Sequence, residues 1–319
     1  MRNFLSIDDV PDPSGLVTKA LAYKKQPLLD KHLGAGKTLG MIFLNPSLRT
    51  RISTQVAARN LGMDVIVFNI DKEGWQLEFA EGAVMKGDKT EHVKEAAAVL
   101  GQYFNILCIR TFPKLIDRTE DYSEHVIQQF VKYAGVPVVS LESATLHPLQ
   151  SLADRMTITE SFTEKRRKPK VVLTWAPHVK ALPQAVPNSF AQWMKDWEAI
   201  DFVITHPKGY ELEPQFIGST PTEYDQDKAL HGADFVYVKN WSSYKEYGKI
   251  MNTDPGWMIT HQKLAPTNNA RVMHCLPVRR NLVIADEVLD GPNSIVIQQA
   301  GNRIWAAQAV LSDLLQTNS

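Results

Sequence analysis

Short apolar, β-branched runs alternate with helical patterns along nearly the whole chain. TLGMIFLN (38–45), DVIVFNI (64–70), NILCIRT (105–111) and VPVVSLE (136–142) read as buried strands. Between them, RTRISTQVAARNLGM (49–63), EHVKEAAAVLGQYF (91–104) and EDYSEHVIQQFVKYA (120–134) carry helical spacing and few breakers. Such alternation indicates βαβ units, because parallel strands need a crossover long enough to hold a helix. The pattern then repeats, with PLQSLADRMTITESF (148–162) and NSFAQWMKDWEA (188–199) as helices and KVVLTWA (170–176) and DFVITHP (201–207) as strands. DFVYVKN (234–240), RVMHCLP (271–277) and SIVIQQA (294–300) read as three more strands, and NRIWAAQAVLSDLL (302–315) as a closing helix. The fold class is α/β, with two doubly wound parallel-sheet domains and an active-site cleft between them. At about 150 residues per domain, 319 residues make about two domains. The first is expected over 1–147 with the returning C-terminal helix 302–319, and the second over 148–301. TEKRRKPK (163–170) reads as a surface connection. Ligands in such sheets sit beyond the carboxyl ends of the strands.

Charge and cysteine content exclude several function classes. Lys+Arg and Asp+Glu both number 35, so the chain is neutral. A general nucleic-acid or anionic-membrane binder needs a basic field, so neither partner is expected. Cys108 and Cys275 sit in no CxxC pattern and make no disulfide framework, which fits a reducing, cytoplasmic setting. The opening MRNFLSIDDVPDPSG has no apolar h-region, so no signal peptide is expected. No stretch reaches the ~18 apolar residues of a membrane span. The nine histidines form no HExxH or other close ligand pair, which argues against a metal site.

GAGKT (34–38) imitates a phosphate loop, but Lys31 stands where a Walker glycine belongs and the segment precedes a strand. Gly34, Gly36 and Gly40 make no dinucleotide fingerprint either, and read as a turn leading into the strand. The stronger signal is NPSLRTR (45–51), which follows a strand and opens a helix. A helix N-terminus offers unpaired N–H groups and a positive dipole end. Ser47 and Thr50 add hydroxyls, and Arg49 and Arg51 add planar forks matched to phosphate oxygens. Arginines in a first helical turn are disfavoured unless an anion is present, so this is an anion site rather than a solvated turn. HPLQSLAD (147–154) also follows a strand and opens a helix. HCLPVRR (274–280), Arg110 and Arg303 add further polar or basic groups at element ends. Together they point to a phosphate-bearing substrate.

Three separated motifs in this order resemble the carbamoyltransferase family. They are Ser47-Leu48-Arg49-Thr50-Arg51, His147-Pro148-Leu149-Gln150 followed by Leu152-Ala153-Asp154, and His274-Cys275-Leu276-Pro277. The resemblance covers nearly the whole chain. It implies a two-domain α/β transferase, a homotrimer with shared active sites, and no cofactor. Ser47, Leu48, Arg49 and Thr50 would cradle the phosphate of carbamoyl phosphate. Arg110, His147 and Arg303 would point at the carbamoyl oxygen and Gln150 at the carbamoyl nitrogen. The carbonyls of Cys275 and Leu276 would hold that nitrogen or orient the amine.

The amine substrate departs from ornithine. The Ser-Met-Gly loop of ornithine enzymes is absent from ADFVYVKNWSS (233–243), where Lys239 stands instead. A cation there repels a free α-ammonium and suits the α-carboxylate of an N-acylated substrate. HCLPVRRN (274–281), KEGWQLEF (72–79) and the proline-rich TWAPHVKALPQAVPNS (174–189) resemble the N-acylornithine branch. That branch implies Trp75 reaching the carbamoyl phosphate of a neighbouring subunit, with His178, Arg279 and Glu142 on the acylated amino acid. The acetyl-type pattern places Glu at position 90, where a carboxylate would repel a succinyl group, whereas MKGDKTEH (85–92) carries Thr90. The alternative for Thr90 is an N-cap of the following helix. The expected reaction is carbamoyl transfer to N-succinyl-L-ornithine in arginine biosynthesis. N-acetylornithine is the alternative, then ornithine. A non-catalytic phosphate-ligand binder and a nicotinamide dehydrogenase are weaker rivals, since the motif residues are intact and the glycine fingerprint is missing.

Overall fold

The computed structural model describes residues 1–164 and 166–317, so Lys165 of the connection at 163–170 and the last two positions of the 302–319 helix lie outside the described residues. The chain falls into two compact units. One comprises Met1–Lys114, Thr119–Leu149 and the chain from Arg303 onward, and the other Leu115–Arg118 and Gln150–Asn302.

In chain order the first elements are α1 (Pro13–Lys25), β1 (Thr38–Phe43), α2 (Arg49–Asn60), β2 (Asp64–Asn69), α3 (Ile70–Glu73), β3 (Leu77–Glu78), β4 (Glu91–His92), α4 (Val93–Tyr103) and β5 (Ile106–Arg110). Next come α5 (Arg118–Tyr122), α6 (His125–Tyr133), β6 (Val138–Glu142) and α7 (Pro148–Ser161). The first unit holds a four-stranded parallel sheet in the order β2-β1-β5-β6. The chain winds outward from β1 in one direction and from β5 in the other, so the switch point lies between these two strands. Gly40 belongs inside β1, not in the turn before it. A Cβ there would stand 2.5 Å from the Phe104 ring, so close packing requires the glycine. At the end of β5 the register with β6 shifts, and Arg110 pairs with Glu142 instead of the intervening Leu141. The bulge places the two charged residues side by side.

The second series is β7 (Lys170–Trp175), α8 (Ala185–Met194), β8 (Asp201–Thr205), α9 (Pro214–Ile217), β9 (Thr222–Glu223), α10 (Gln226–Leu230), β10 (Phe235–Lys239), α11 (His261–Leu264), β11 (Arg271–Met273), α12 (Asp286–Leu289) and α13 (Val296–Thr317). Its five-stranded parallel sheet runs β11-β10-β7-β8-β9, with the switch point between β7 and β10. Val172, Val236, Val238 and Val272 of this sheet are buried with Ile259, Ile284 and Val288. No helix among the described residues is long and apolar enough to cross a membrane.

Three further sequence expectations are corrected. SIVIQQA (294–300) is not a strand: only Ser294 bridges Val272, and Val296 starts α13. Val296 and Gln299 are buried while Ile297 is exposed, so the run has helical rather than alternating periodicity. RVMHCLP (271–277) is a strand only through Met273; beyond it the chain turns, and Leu276 adopts a left-handed φ of 55°. The helix expected over 120–134 is broken at Glu124, which has φ 53°. Its carboxylate accepts from Ser143 Oγ at 2.6 Å and from the N–H groups of Ala144 and Thr145, bonds an uninterrupted helix would not allow.

Candidate active site

In the first unit the segment after β1 behaves as an anion-receptive helix start. Leu48 occupies the N-cap position of α2 and supplies no side-chain cap, and no acidic residue lies in the first turn. Ser47 is therefore not the cap, and the turn presents arginine at its positive end. Thr50, one position into the helix, is buried and gathers the surrounding cations. Its Oγ1 accepts from Arg303 Nη2 at 2.7 Å and, at the 3.5 Å limit, from Arg110 Nη1. Arg110 Nη1 also pairs with Glu142 Oε2 at 2.6 Å, and its guanidinium lies 4.6 Å over the Phe112 ring. His147 Nε2 stands 3.5 Å from the same Glu142 oxygen. Thr50, Arg110, Glu142, His147 and Arg303 are all buried.

The protonation state results from this crowding. Burial, then the charges of Arg303, Arg110 and Arg49, hold the His147 imidazole well below its ordinary range. It is neutral near pH 7 and carries one N–H. Three guanidiniums and one carboxylate leave an excess of two positive charges, which a bound dianion would compensate. Glu142, expected on the acylated amino acid, belongs to this cluster. Phe112 was not anticipated, because nothing local distinguishes it from an ordinary core aromatic.

Trp75 and Thr90 share a small flap. Leu77 and Glu91 pair as the parallel strands β3 and β4, and Thr90 N–H donates to the Gln76 carbonyl at 3.2 Å. The Trp75 indole is 51% exposed and donates to Glu91 Oε2 at 2.9 Å. Thr90 does not cap α4, because His92 holds the N-cap position and accepts from Lys94 N–H.

In the second unit Lys239 is the last residue of β10 rather than a loop residue, and only 9% exposed. It pairs in register with Trp175, the last residue of β7, which puts it beside the switch point. His178 lies just beyond β7, and its Nε2 accepts from Arg279 Nε at 3.2 Å. Arginine only donates, so Nε2 is the acceptor of this bond, while Nδ1 lies 3.1 Å from both the backbone N–H and the carbonyl of Lys180. Burial, with the charges of Lys239, Arg279 and Lys180, lowers the His178 pKa against the opposing Lys180 carbonyl. The structure thus brings His178 and Arg279 into contact, with Lys239 close enough to act on the imidazole. Gln150, one turn into α7, donates to Asp154 at 2.7 Å, and Leu276 N–H donates to His274 Nδ1 at 2.8 Å beside Cys275. Asp154 and Gln299, which tie these groups together, carried no separate sequence signal for a role.

Two family models match the chain. Residues 2–160 match the aspartate/ornithine carbamoyltransferase carbamoyl-P binding domain, and residues 185–314 match the Asp/Orn binding domain of that family. The chain is 50% identical over 318 residues to N-succinylornithine carbamoyltransferase of Bacteroides thetaiotaomicron, covering 99% of each chain. It is 35% identical to N-acetylornithine carbamoyltransferase of Xanthomonas axonopodis pv. citri, over 98% of this chain and 96% of the relative. A solved N-acetyl-L-ornithine transcarbamylase mutant, one glutamate replaced by proline, is complexed with carbamyl phosphate and N-succinyl-L-norvaline. It superposes with a TM-score of 0.93 at 35% identity, covering 98% of this chain and all of the other.

Proposed function

Because the chain belongs to the aspartate/ornithine carbamoyltransferase family, we propose that it transfers the carbamoyl group of carbamoyl phosphate to the δ-amine of N-succinyl-L-ornithine. The products are N-succinyl-L-citrulline and phosphate, in arginine biosynthesis. It is a carbamoyltransferase of the N-acylornithine branch; the succinyl group is the finer reading. The observation that carries it is that buried Lys239 and Arg279 both act on an uncharged His178. Two cations acting on one imidazole suit a substrate with two carboxylates and no free α-ammonium. Thr90 on the flap adds no negative charge, and an acetylornithine relative lacking one glutamate holds a succinyl amino acid.

The chemistry uses charge placement. Ser47, Leu48, Arg49 and Thr50 hold the phosphate at the start of α2. The unprotonated δ-amine attacks the carbamoyl carbon, and the carbonyl oxygen becomes an oxyanion. Arg110, Arg303 and the N–H of neutral His147 stabilise it, each donor contributing about 3–4 kcal/mol in comparable sites. The carbon–oxygen bond to phosphate then breaks, the surplus proton of the attacking nitrogen passes to the leaving phosphate oxygen, and hydrogen phosphate departs as a dianion paired with the arginines. Gln150 and the carbonyls of Cys275 and Leu276 orient the carbamoyl nitrogen. The half-exposed Trp75 fits a role across a subunit boundary, so the proposed assembly is a homotrimer with shared sites, in the cytoplasm.

The test is a product assay with succinyl-, acetyl- and free ornithine side by side, each with carbamoyl phosphate. The succinyl substrate should have the highest kcat/KM. Equal or better use of acetylornithine overturns the acyl assignment.

A further inference from the structure

Gln150 and Gln299 converge on one oxygen of a side chain with no exposed surface. Gln150 Nε2 and Gln299 Nε2 each donate to Asp154 Oδ1 at 2.7 Å, and Asp154 is 0% exposed. An oxygen receiving two amide N–H groups is an acceptor whatever the charge on the carboxyl group. Each glutamine must therefore turn its NH2 toward Asp154, and the opposite end of each amide is fixed as a carbonyl. For Gln299 the consequence is visible, since its Oε1 accepts from His274 N–H at 2.9 Å. His274 in turn accepts from Leu276 N–H at 2.8 Å, so the turn that carries Cys275 and Leu276 is braced from the same carboxylate.

Gln150 lies one helical turn before Asp154 in α7, a spacing that puts both side chains on one face. Without an acceptor at 154 the bond that fixes its orientation is lost, and its amide can rotate by half a turn, exchanging donor for acceptor. The group it would meet, a carbamoyl NH2, donates only. A rotated amide would present N–H to N–H. We infer that Asp154 is a positioning residue that locks Gln150 as an acceptor and so selects carbamoyl phosphate over acetyl phosphate, whose methyl group replaces the NH2. The inference rests on the proposed reading of Gln150 as the residue at the carbamoyl nitrogen.

The readout is the ratio of the acetyl phosphate Ki to the carbamoyl phosphate KM, measured on the full chain. Asp154→Leu keeps the branching at Cγ in a larger side chain and removes the acceptor; the ratio should fall about tenfold, the scale of one lost hydrogen bond. Should that variant not fold, Asp154→Ser replaces it, because a serine hydroxyl bonds its own i−4 backbone carbonyl and releases the Gln150 amide. Gln150→Ala should lower the ratio by the same factor, and the double variant no further. Asp154→Asn keeps an acceptor oxygen and should stay within about threefold of the parent ratio. A structural role alone would lower thermal stability and leave the ratio unmoved. An unchanged ratio in folded Asp154→Leu or Asp154→Ser, with Gln150→Ala effective, overturns the inference, as does an Asp154→Asn as impaired as Asp154→Leu. An unchanged ratio in Gln150→Ala overturns the Gln150 assignment itself.

Discussion

Thr50 Oγ1 accepts a hydrogen bond of 2.7 Å from Arg303, which is 253 positions away in the chain. A hydroxyl at the first turn of one helix thus receives a guanidinium from another, with Arg110 at its limit of reach. The contact gathers positive charge at the end of α2 that already favours an anion. A bound dianion would relieve this self-repulsion.

Arg49→Ala should cost about 2–4 kcal/mol in kcat/KM for carbamoyl phosphate, the range for truncating one partner of a charge-assisted pair. Folding stability without ligand should hold or rise, since a like charge is removed. Calorimetry with and without carbamoyl phosphate checks both. At 100 times Kd the ligand should stabilise the parent by about 2.7 kcal/mol, and a variant stabilised equally at the same concentration would refute the phosphate role.

His147 sets a pH dependence whose sign comes from its depressed pKa. The unfolded imidazole titrates near its ordinary ~6.5, whereas the folded one stays neutral. Below about pH 6.5 the unfolded state binds an extra proton, so this contribution to stability is present above that pH and declines as pH falls toward the folded pKa. Unfolding midpoints between pH 5 and 8 should show the decline, and His147→Asn should flatten it. A slope of equal size in that variant would assign the effect to another group.

Lys239→Met should raise the KM for N-succinylornithine at least tenfold, about 1.4 kcal/mol. The KM for carbamoyl phosphate should change little. A uniform fall in kcat with both KM values intact would move Lys239 out of substrate binding.

Thr90→Glu should penalise succinylornithine and spare acetylornithine. At ~4 Å and an effective dielectric of ~20 the repulsion is about 4 kcal/mol before relaxation. Specificity constants for the two acylornithines decide the matter, because His92 already caps α4 and a capping effect at 90 is absent. An unaltered succinyl-to-acetyl ratio would remove Thr90 from the acyl pocket.

Inactive Trp75→Ala chains mixed with inactive Arg49→Ala chains should regain activity on subunit exchange if sites are shared. Mixed assemblies that stay inactive would place Trp75 in its own chain's site.

Local sequence determined the α/β alternation, the position of the anion loop and the three motifs, because strand periodicity and helix starts are encoded within a few residues of each other. It also distinguished GAGKT from a phosphate loop, because that segment leads into a strand instead of a helix. The sequence alone could not settle SIVIQQA, since a short apolar run fits either period, and packing chose the helix beginning at Val296. Nor could it place Glu142. That depended on the bulge opposite Arg110 and on strands brought together across the sheet. The neutrality of His147, the burial of Lys239 and the grip of Asp154 on two glutamines are likewise tertiary facts. Desolvation, charge proximity and hydrogen bonding depend on distance in space, and residues distant in sequence acquire that proximity only when the chain closes its loops.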